Sequence, residues 1–349
     1  MYIGWRKAEE GDYATAYRCY EYMNDVISEV NELSYAQTPP ELQLLRHFEG
    51  EAEGTVKQFP VNENMVMSME LRTAYQETSD AFNMTLTKIP KTLDINLDYK
   101  LDQYHLNNII KELPHAMVLS TGRCGTMSMY RLFQQTHYIP YHSYFFQPSV
   151  SYRYEMMCQH LEGNHGDRTP ANEWVKTRAA EWLGSVSQNR PMMGVNHLDT
   201  IFAPVFASLH PKSKFIYLRR DHKKVFESMY SKDQWSRTQI QPIHYQFDPF
   251  KWCYPGYDIP YLITWYIKFT EVFSRAFGEK MGDRFIELSA DKLFSQDKEE
   301  IKRLEDFTEI KVPENHFSVP YNQKAHKNAG SKKQIKEGLE LFDDYYGRL

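Results

Sequence analysis

The sequence predicts an α/β fold: a mainly parallel sheet flanked by helices, with an α-helical N-terminal region ahead of it. Three observations lead there. From about residue 114, short apolar runs alternate with amphipathic stretches of helical period, the pattern of parallel strands joined by crossover helices. Ahead of that point Trp5, Ala8, Tyr13, Ala16, Tyr17 and Tyr20 follow a helical spacing, broken near Gly11 and at Pro39-Pro40. The first apolar run, Ala116-Met-Val-Leu-Ser120, opens into Gly122-Arg-Cys-Gly-Thr-Met-Ser128 and then a helix-like stretch. That order reads as a buried strand, a phosphate-sized loop and a helix N-terminus.

In chain order, the helical N-terminal extension takes residues 1–105 and the α/β domain 106–349. Residues 87–101, with Pro90 and alternating Leu93, Ile95 and Leu97, are a linker or an extra strand. Strands are expected at 116–120, 192–196, 214–218 and 284–288, where short apolar runs stand between turn signals. Helices are expected at 125–136, 199–209, 222–231, 259–277 and 298–308, where apolar residues recur on one helical face. A sheet so ordered holds its ligand at the C-terminal ends of its strands, where the loop after the first strand already lies.

Composition narrows the partners. The chain has 349 residues, 42% hydrophobic and 25% charged, ordinary for a globular protein. No stretch approaches the roughly 18 apolar residues of a membrane helix, and Met1-Tyr-Ile-Gly-Trp-Arg-Lys7 lacks a basic-then-apolar leader. A soluble, cytoplasmic protein with no membrane partner is expected. Cys19, Cys124, Cys158 and Cys253 have no CxxC spacing, which fits reduced thiols. Residues 1–110 hold 9 Lys and Arg against 18 Asp and Glu, and residues 111–349 hold 32 against 28. That balance fits a small anionic ligand in the second part and argues against nucleic acid, which favours a far more basic face. It also leaves the acidic N-terminal helices as a surface for a protein contact, and the oligomeric state open.

The loop is built for an anion. Two glycines let backbone N–H groups converge, the first helical turn presents free amides, and Arg123 adds a fixed charge. It is not a Walker loop, which would read GxxxxGK[ST]; no Lys follows the second glycine, and no apolar strand ends in Asp-Glu to hold a metal. A second element is Phe215-Ile-Tyr-Leu-Arg-Arg-Asp-His-Lys-Lys-Val-Phe-Glu-Ser228, a strand running into a helix. Ser228 lies eight residues after Arg220, about two helical turns, so both can face one phosphate.

Together these elements resemble the sulfotransferases that use 3′-phosphoadenosine 5′-phosphosulfate (PAPS), over roughly residues 114–310. In that family a [KR]-S-G-T-[TS] loop wraps the 5′-phosphosulfate, and an Arg with a Ser eight positions on holds the 3′-phosphate. Arg123-Cys-Gly-Thr126 fills the first pattern, and Arg220 with Ser228 the second. Arg284-Phe-Ile-Glu-Leu-Ser-Ala-Asp-Lys-Leu293 is similar to the family's late strand and its Tyr-Glu-Asp-Leu turn. The resemblance implies a P-loop-like phosphosulfate-binding loop made of Arg123, Cys124, Gly125, Thr126, Met127 and Ser128. It implies PAPS as donor, adenosine 3′,5′-bisphosphate as product and no required metal.

Met193-Gly-Val-Asn-His-Leu198 stands where cytosolic members carry Lys-Thr-His-Leu-Pro, so the resemblance places the catalytic base at His197. Imidazole titrates near neutral pH and suits removal of a proton from an attacking hydroxyl or amine. In-line attack on sulfur follows, with Arg123 and the loop amides facing the charge that builds on the leaving phosphate. The family's lysine is Val195 here, with Asn196 or another residue as substitute; Ser128 stands where many members place a Trp on adenine, and Met127 replaces the second loop Thr.

Residues 321–333 correspond to the basic segment that closes over the 3′-phosphate, with Lys324 and Lys327 as its candidates; a solvated charged loop is the alternative. Aromatic clusters at 138–146 and 247–257 fall where acceptor-lining loops are expected, and His142 and His244 are alternative bases. Cys124 at a helix N-terminus has the place of a nucleophile, but the family's Ser there argues for a small spacer. The acceptor stays open among sugar, phenol, alcohol, amine and peptide. The competing readings are a P-loop-type nucleotide kinase or nucleotidase, and a noncatalytic binding protein on the same fold.

Overall fold

In a computed structural model, residues 89–99, 101, 112–142, 150–163, 165–231, 259–318 and 332–349 are described. Residues 1–88, 100 and 102–105 of the expected helical extension, residues 143–146 of the first aromatic cluster, the cluster at 247–257, His244, Lys324 and Lys327 lie outside them. Strand β1 (Ala116–Leu119) is followed by helix α1 (Thr126–Phe133), β2 (Ile139–Tyr141), α2 (Val150–Glu162), α3 (Thr169–Thr177) and α4 (Ala179–Gln188). Then come β3 (Met192–Gly194), a 3₁₀ turn (His197–Phe202), α5 (Ala203–Leu209), β4 (Lys214–Arg219) and α6 (His222–Tyr230). Beyond Ile259 lie α7 (Ile259–Met281), β5 (Phe285–Ser289), α8 (Ala290–Phe294), α9 (Lys298–Thr308), a 3₁₀ turn (His316–Ser318) and α10 (Lys332–Arg348).

The five strands form one parallel sheet in the order β2-β3-β1-β4-β5. β1 lies at its centre, and Ala116 to Leu119 are all buried because helices cover both faces. This is why the run is apolar without alternation. The chain leaves β1 toward β2 and β3 on one side and crosses to β4 and β5 on the other, so a topological switch point lies at the C-terminal end of β1.

The expected strands are present with bounds shifted by one or two residues, and 298–308 is helical as expected. β2, α2, α3, α4, α8 and α10 are additions to the expected list. The stretch read as one helix over 199–209 is a 3₁₀ turn carrying His197, then α5. Residues 91–99 form no strand; Leu93 and Ile95 are buried against the core, and Lys280 Nζ meets Asp94 at 2.8 Å. α6 starts where Asp221 accepts from Lys224 N at 3.0 Å, and α9 where Asp297 accepts from Glu300 N at 2.9 Å; both are N-caps. Among the described residues no helix is long and apolar enough to cross a membrane.

Candidate active site

Each strand delivers one piece of a shared rim. After β1 the chain must reverse into α1, and it does so with φ of 75° at Gly122, 58° at Arg123 and 92° at Gly125. Two of these left-handed positions are glycines; the third is an arginine, which carries about 1 kcal/mol of strain or more. Arg220, at the end of β4, holds it there by donating from Nη1 to Arg123 O at 2.9 Å. Gly125 is doubly fixed, because a Cβ there would lie 2.3 Å from the Phe294 ring of α8. The Ser128 and Met129 amides both donate to Gly125 O, whereas the amides of Thr126 and Met127 have no acceptor among the described residues. With no acidic residue in its first turn, α1 presents an unopposed positive end.

The loop is tied down from below. Gly122 N donates to Ser120 Oγ at 3.1 Å; Thr200 Oγ1, on the turn after β3, accepts from Ser120 N and donates to Ser120 O, both at 3.0 Å. Cys124 is buried, its thiol donating to Gly122 O and lying 3.2 Å from Thr121 Oγ1. Burial pushes its pKa up, so it is a neutral thiol that packs under the loop. His316 Nε2 donates to Ser128 O at 2.9 Å and supports the far side of α1.

Two guanidinium groups face the cradle. Arg123 Nε donates to Ser228 Oγ at 3.1 Å, so the arginine of the loop and the serine of α6 meet directly. Burial and then repulsion from Arg220 draw the Arg123 pKa down, the electrostatic condition that a bound anion relieves. Arg220 Nε lies 3.8 Å from Asp291, which also takes Lys224 Nζ and Asp221 N at 2.8 Å each. Burial raises the Asp291 pKa, but Lys224, the Asp221 amide and Arg220 together hold it below the usual carboxylate range.

His197 completes the rim. A Cβ on Gly122 would lie 3.0 Å from His197 Cδ2 and Cγ, so the imidazole packs on the loop backbone, and only glycine lets it approach. On the next strand over, His142 Nε2 lies 3.2 Å from Thr126 Oγ1. Val195 is buried, and Asn196 Oδ1 caps the turn by accepting from Leu198 N at 3.2 Å. The structure thus gathers Arg123, Cys124, Gly125, Thr126, Met127, Ser128, His197, Arg220 and Ser228 at one end of the sheet. Sequence reasoning missed Ser120, Thr200 and Phe294 as supports of the loop, and Asp291 as counter-charge. Ser120 and Asp291 lay inside segments already singled out, Ala116 to Ser128 and Arg284 to Leu293, whereas nothing local pointed from Thr200 or Phe294 to the loop.

A family model described as "Sulfotransferase domain" matches residues 116–312, more than half of the chain and every residue of this rim. The chain belongs to the sulfotransferase family. Among solved structures, the sulfotransferase domain from the Synechococcus PCC 7002 olefin synthase is similar at 15% identity, over 70% of this chain and 91% of that one, with a TM-score of 0.37, too loose a likeness to carry an argument. No curated protein matches the chain. Among the described residues of the sulfotransferase domain, no group of three His, Cys, Asp or Glu side chains gathers as a metal site.

Behind His197 the sulfotransferase domain buries five ionisable side chains, Arg153, His160, Arg178, Glu181 and Asp199. Glu181 meets Arg178 Nε only at 3.7 Å, and neither carboxylate oxygen has a hydrogen-bond partner among the described residues. Burial, partly offset by Arg178, raises its pKa to about 7. Between its usual value and 7 the folded state keeps a proton that the unfolded chain releases. The contribution to stability is therefore greatest at low pH and falls by about 3 kcal/mol as pH rises through 7. Glu181→Gln should raise the melting temperature by several degrees at pH 8 and hardly at all at pH 5. An equal change at both pH values in thermal unfolding would refute the assignment.

Proposed function

We propose that this sulfotransferase moves a sulfuryl group from PAPS to a hydroxyl or amine of its acceptor by in-line displacement, with His197 as general base. The observation that carries the reading is the packing of the His197 ring on Gly122, whose neighbour in the loop, Arg123, is bonded to Arg220 through its carbonyl and to Ser228 through its guanidinium. Base and anion cradle are adjacent. A donor with two separate phosphates suits an arrangement in which loop amides form one anion-binding set, Arg220 with Ser228 forms the other, and Arg123 joins them. The crowding of Gly125 by Phe294 leaves no room for a side chain at that position of the loop.

The donor supplies an activated sulfuryl group, and the rest is done by residues of the chain. Neutral His197 accepts the acceptor's proton as its oxygen or nitrogen engages sulfur. The Thr126 and Met127 amides and the Arg123 guanidinium are already aimed at the phosphate oxygen that gains charge as the S–O bond breaks, so little reorganisation is needed. Arg220 and Ser228 hold the 3′-phosphate and fix the donor's register.

Thermal shift with adenosine 3′,5′-bisphosphate, 5′-AMP and ATP, each with and without magnesium, tests the reading. At about 100 times its Kd the bisphosphate should stabilise the fold by about 2.7 kcal/mol, several degrees, whether or not metal is present. A larger shift from Mg-ATP would replace sulfuryl transfer with phosphoryl transfer.

A further inference from the structure

The 3₁₀ turn that carries His197 is held at three consecutive residues by three different parts of the fold. Asp199 is fully buried, with Oδ1 accepting from Trp174 Nε1 of α3 at 3.0 Å and Oδ2 from Arg178 Nη1 at 3.1 Å. Thr200 Oγ1 is bonded to both the N–H and the carbonyl of Ser120 after β1. Ile201 O accepts from His160 Nε2 of α2 at 2.8 Å; burial draws the His160 pKa down to about 3, so the ring is neutral and acts as donor. At the end of the turn, Phe202 stacks on Trp174 with ring centroids 5.4 Å apart and planes 9° from parallel.

A buried ion pair is a weak source of stability, since well-packed apolar residues of the same volume often serve as well. What it supplies is geometry, because both carboxylate oxygens are matched by donors, Trp174 on α3 and Arg178 at the junction of α3 and α4, that leave the turn one position. His197 is two residues away on that same turn, with its ring against Gly122.

We propose that Asp199, held by Arg178 and Trp174, is a positioning residue of the transfer reaction that sets the orientation of the His197 imidazole against the Gly122 loop. The proposal rests on the reading of His197 as base. Asp199 touches no reactant. It acts by keeping the imidazole within reach of the acceptor's proton, and a displacement of about 1 Å at a catalytic group can lower turnover on the order of 100-fold.

The test uses the full chain with Asp199→Asn, and with Trp174→Phe as the milder variant that keeps the ring stack and removes one donor. Three quantities are read: the nuclear Overhauser contact between the His197 ring and the Gly122 α protons, the Kd for adenosine 3′,5′-bisphosphate, and bisphosphate release from PAPS with 2-naphthol as probe acceptor. Loss of the Overhauser contact is expected in both variants, with turnover lowered about 10-fold in Trp174→Phe and about 100-fold in Asp199→Asn and the Kd within about twofold. Neither substitution should lower turnover further in a His197→Ala background, where there is no imidazole left to orient. An intact Overhauser contact in both variants, or the same fractional loss with and without His197, overturns the proposal alone. Full turnover by His197→Ala itself overturns the base assignment, and the proposal with it.

Discussion

His197→Ala is expected to lower turnover by about 10²–10⁴-fold, the range that a positioned general base supplies, while the affinity for adenosine 3′,5′-bisphosphate stays within about twofold. The two effects separate because the ring rests on the loop without holding it. The loop keeps its shape through Ser120, Thr200 and the Arg220 bond to Arg123 O, none of which passes through the imidazole. Calorimetric titration with the bisphosphate alongside single-turnover kinetics reads both quantities. Normal turnover in the variant would remove His197 from the chemistry and direct attention to His142, 3.2 Å from Thr126.

Arg220→Ala should weaken bisphosphate binding by about 10- to 150-fold, from the about 1.5–3 kcal/mol that a hydrogen bond to a charged group contributes. The loss has two sources. One is the charge itself; the other is the bond that holds Arg123 in its left-handed conformation. The local fold survives, since Asp291 keeps Lys224 and the Asp221 amide and α6 keeps its cap. Arg220→Lys should recover part of the affinity, because an ammonium restores charge without the planar fork. Unchanged affinity in Arg220→Ala, measured by titration calorimetry, would mean that the phosphates bind elsewhere.

The rim was legible in the sequence where its parts are local. A glycine loop between an apolar strand and a helix, and an arginine at a strand end with a serine two turns on, are patterns within a few consecutive residues. Supports that act across the fold left no such trace: Thr200 reaches Ser120 over 80 positions, and Phe294 meets Gly125 over a far longer stretch of chain. The overlooked elements have equally physical reasons. β2 is only Ile139-Pro-Tyr141, and its proline is tolerated because β2 lies at the sheet edge. α2 buries Arg153, Gln159 and His160, and α4 buries Glu181 and Ser185, so polar residues interrupt the apolar period that marks a helix. α10 carries many charges around a narrow buried strip at Gly338 and Phe342, with Lys223 and Asp343 pairing it to α6 at 2.7 Å.

The strand order also divides the rim into two halves. β1, β4 and β5 carry the loop, Arg220 with Ser228 just beyond it, and Asp291, while β3 and β2 carry His197 and His142. Anion grip and imidazoles thus occupy opposite flanks of the central strand. Substitutions on the β2 and β3 flank that spare Thr200, which ties that flank to the loop at Ser120, can change the surroundings of the two imidazoles while Arg123, Arg220, Ser228 and Asp291 keep their contacts.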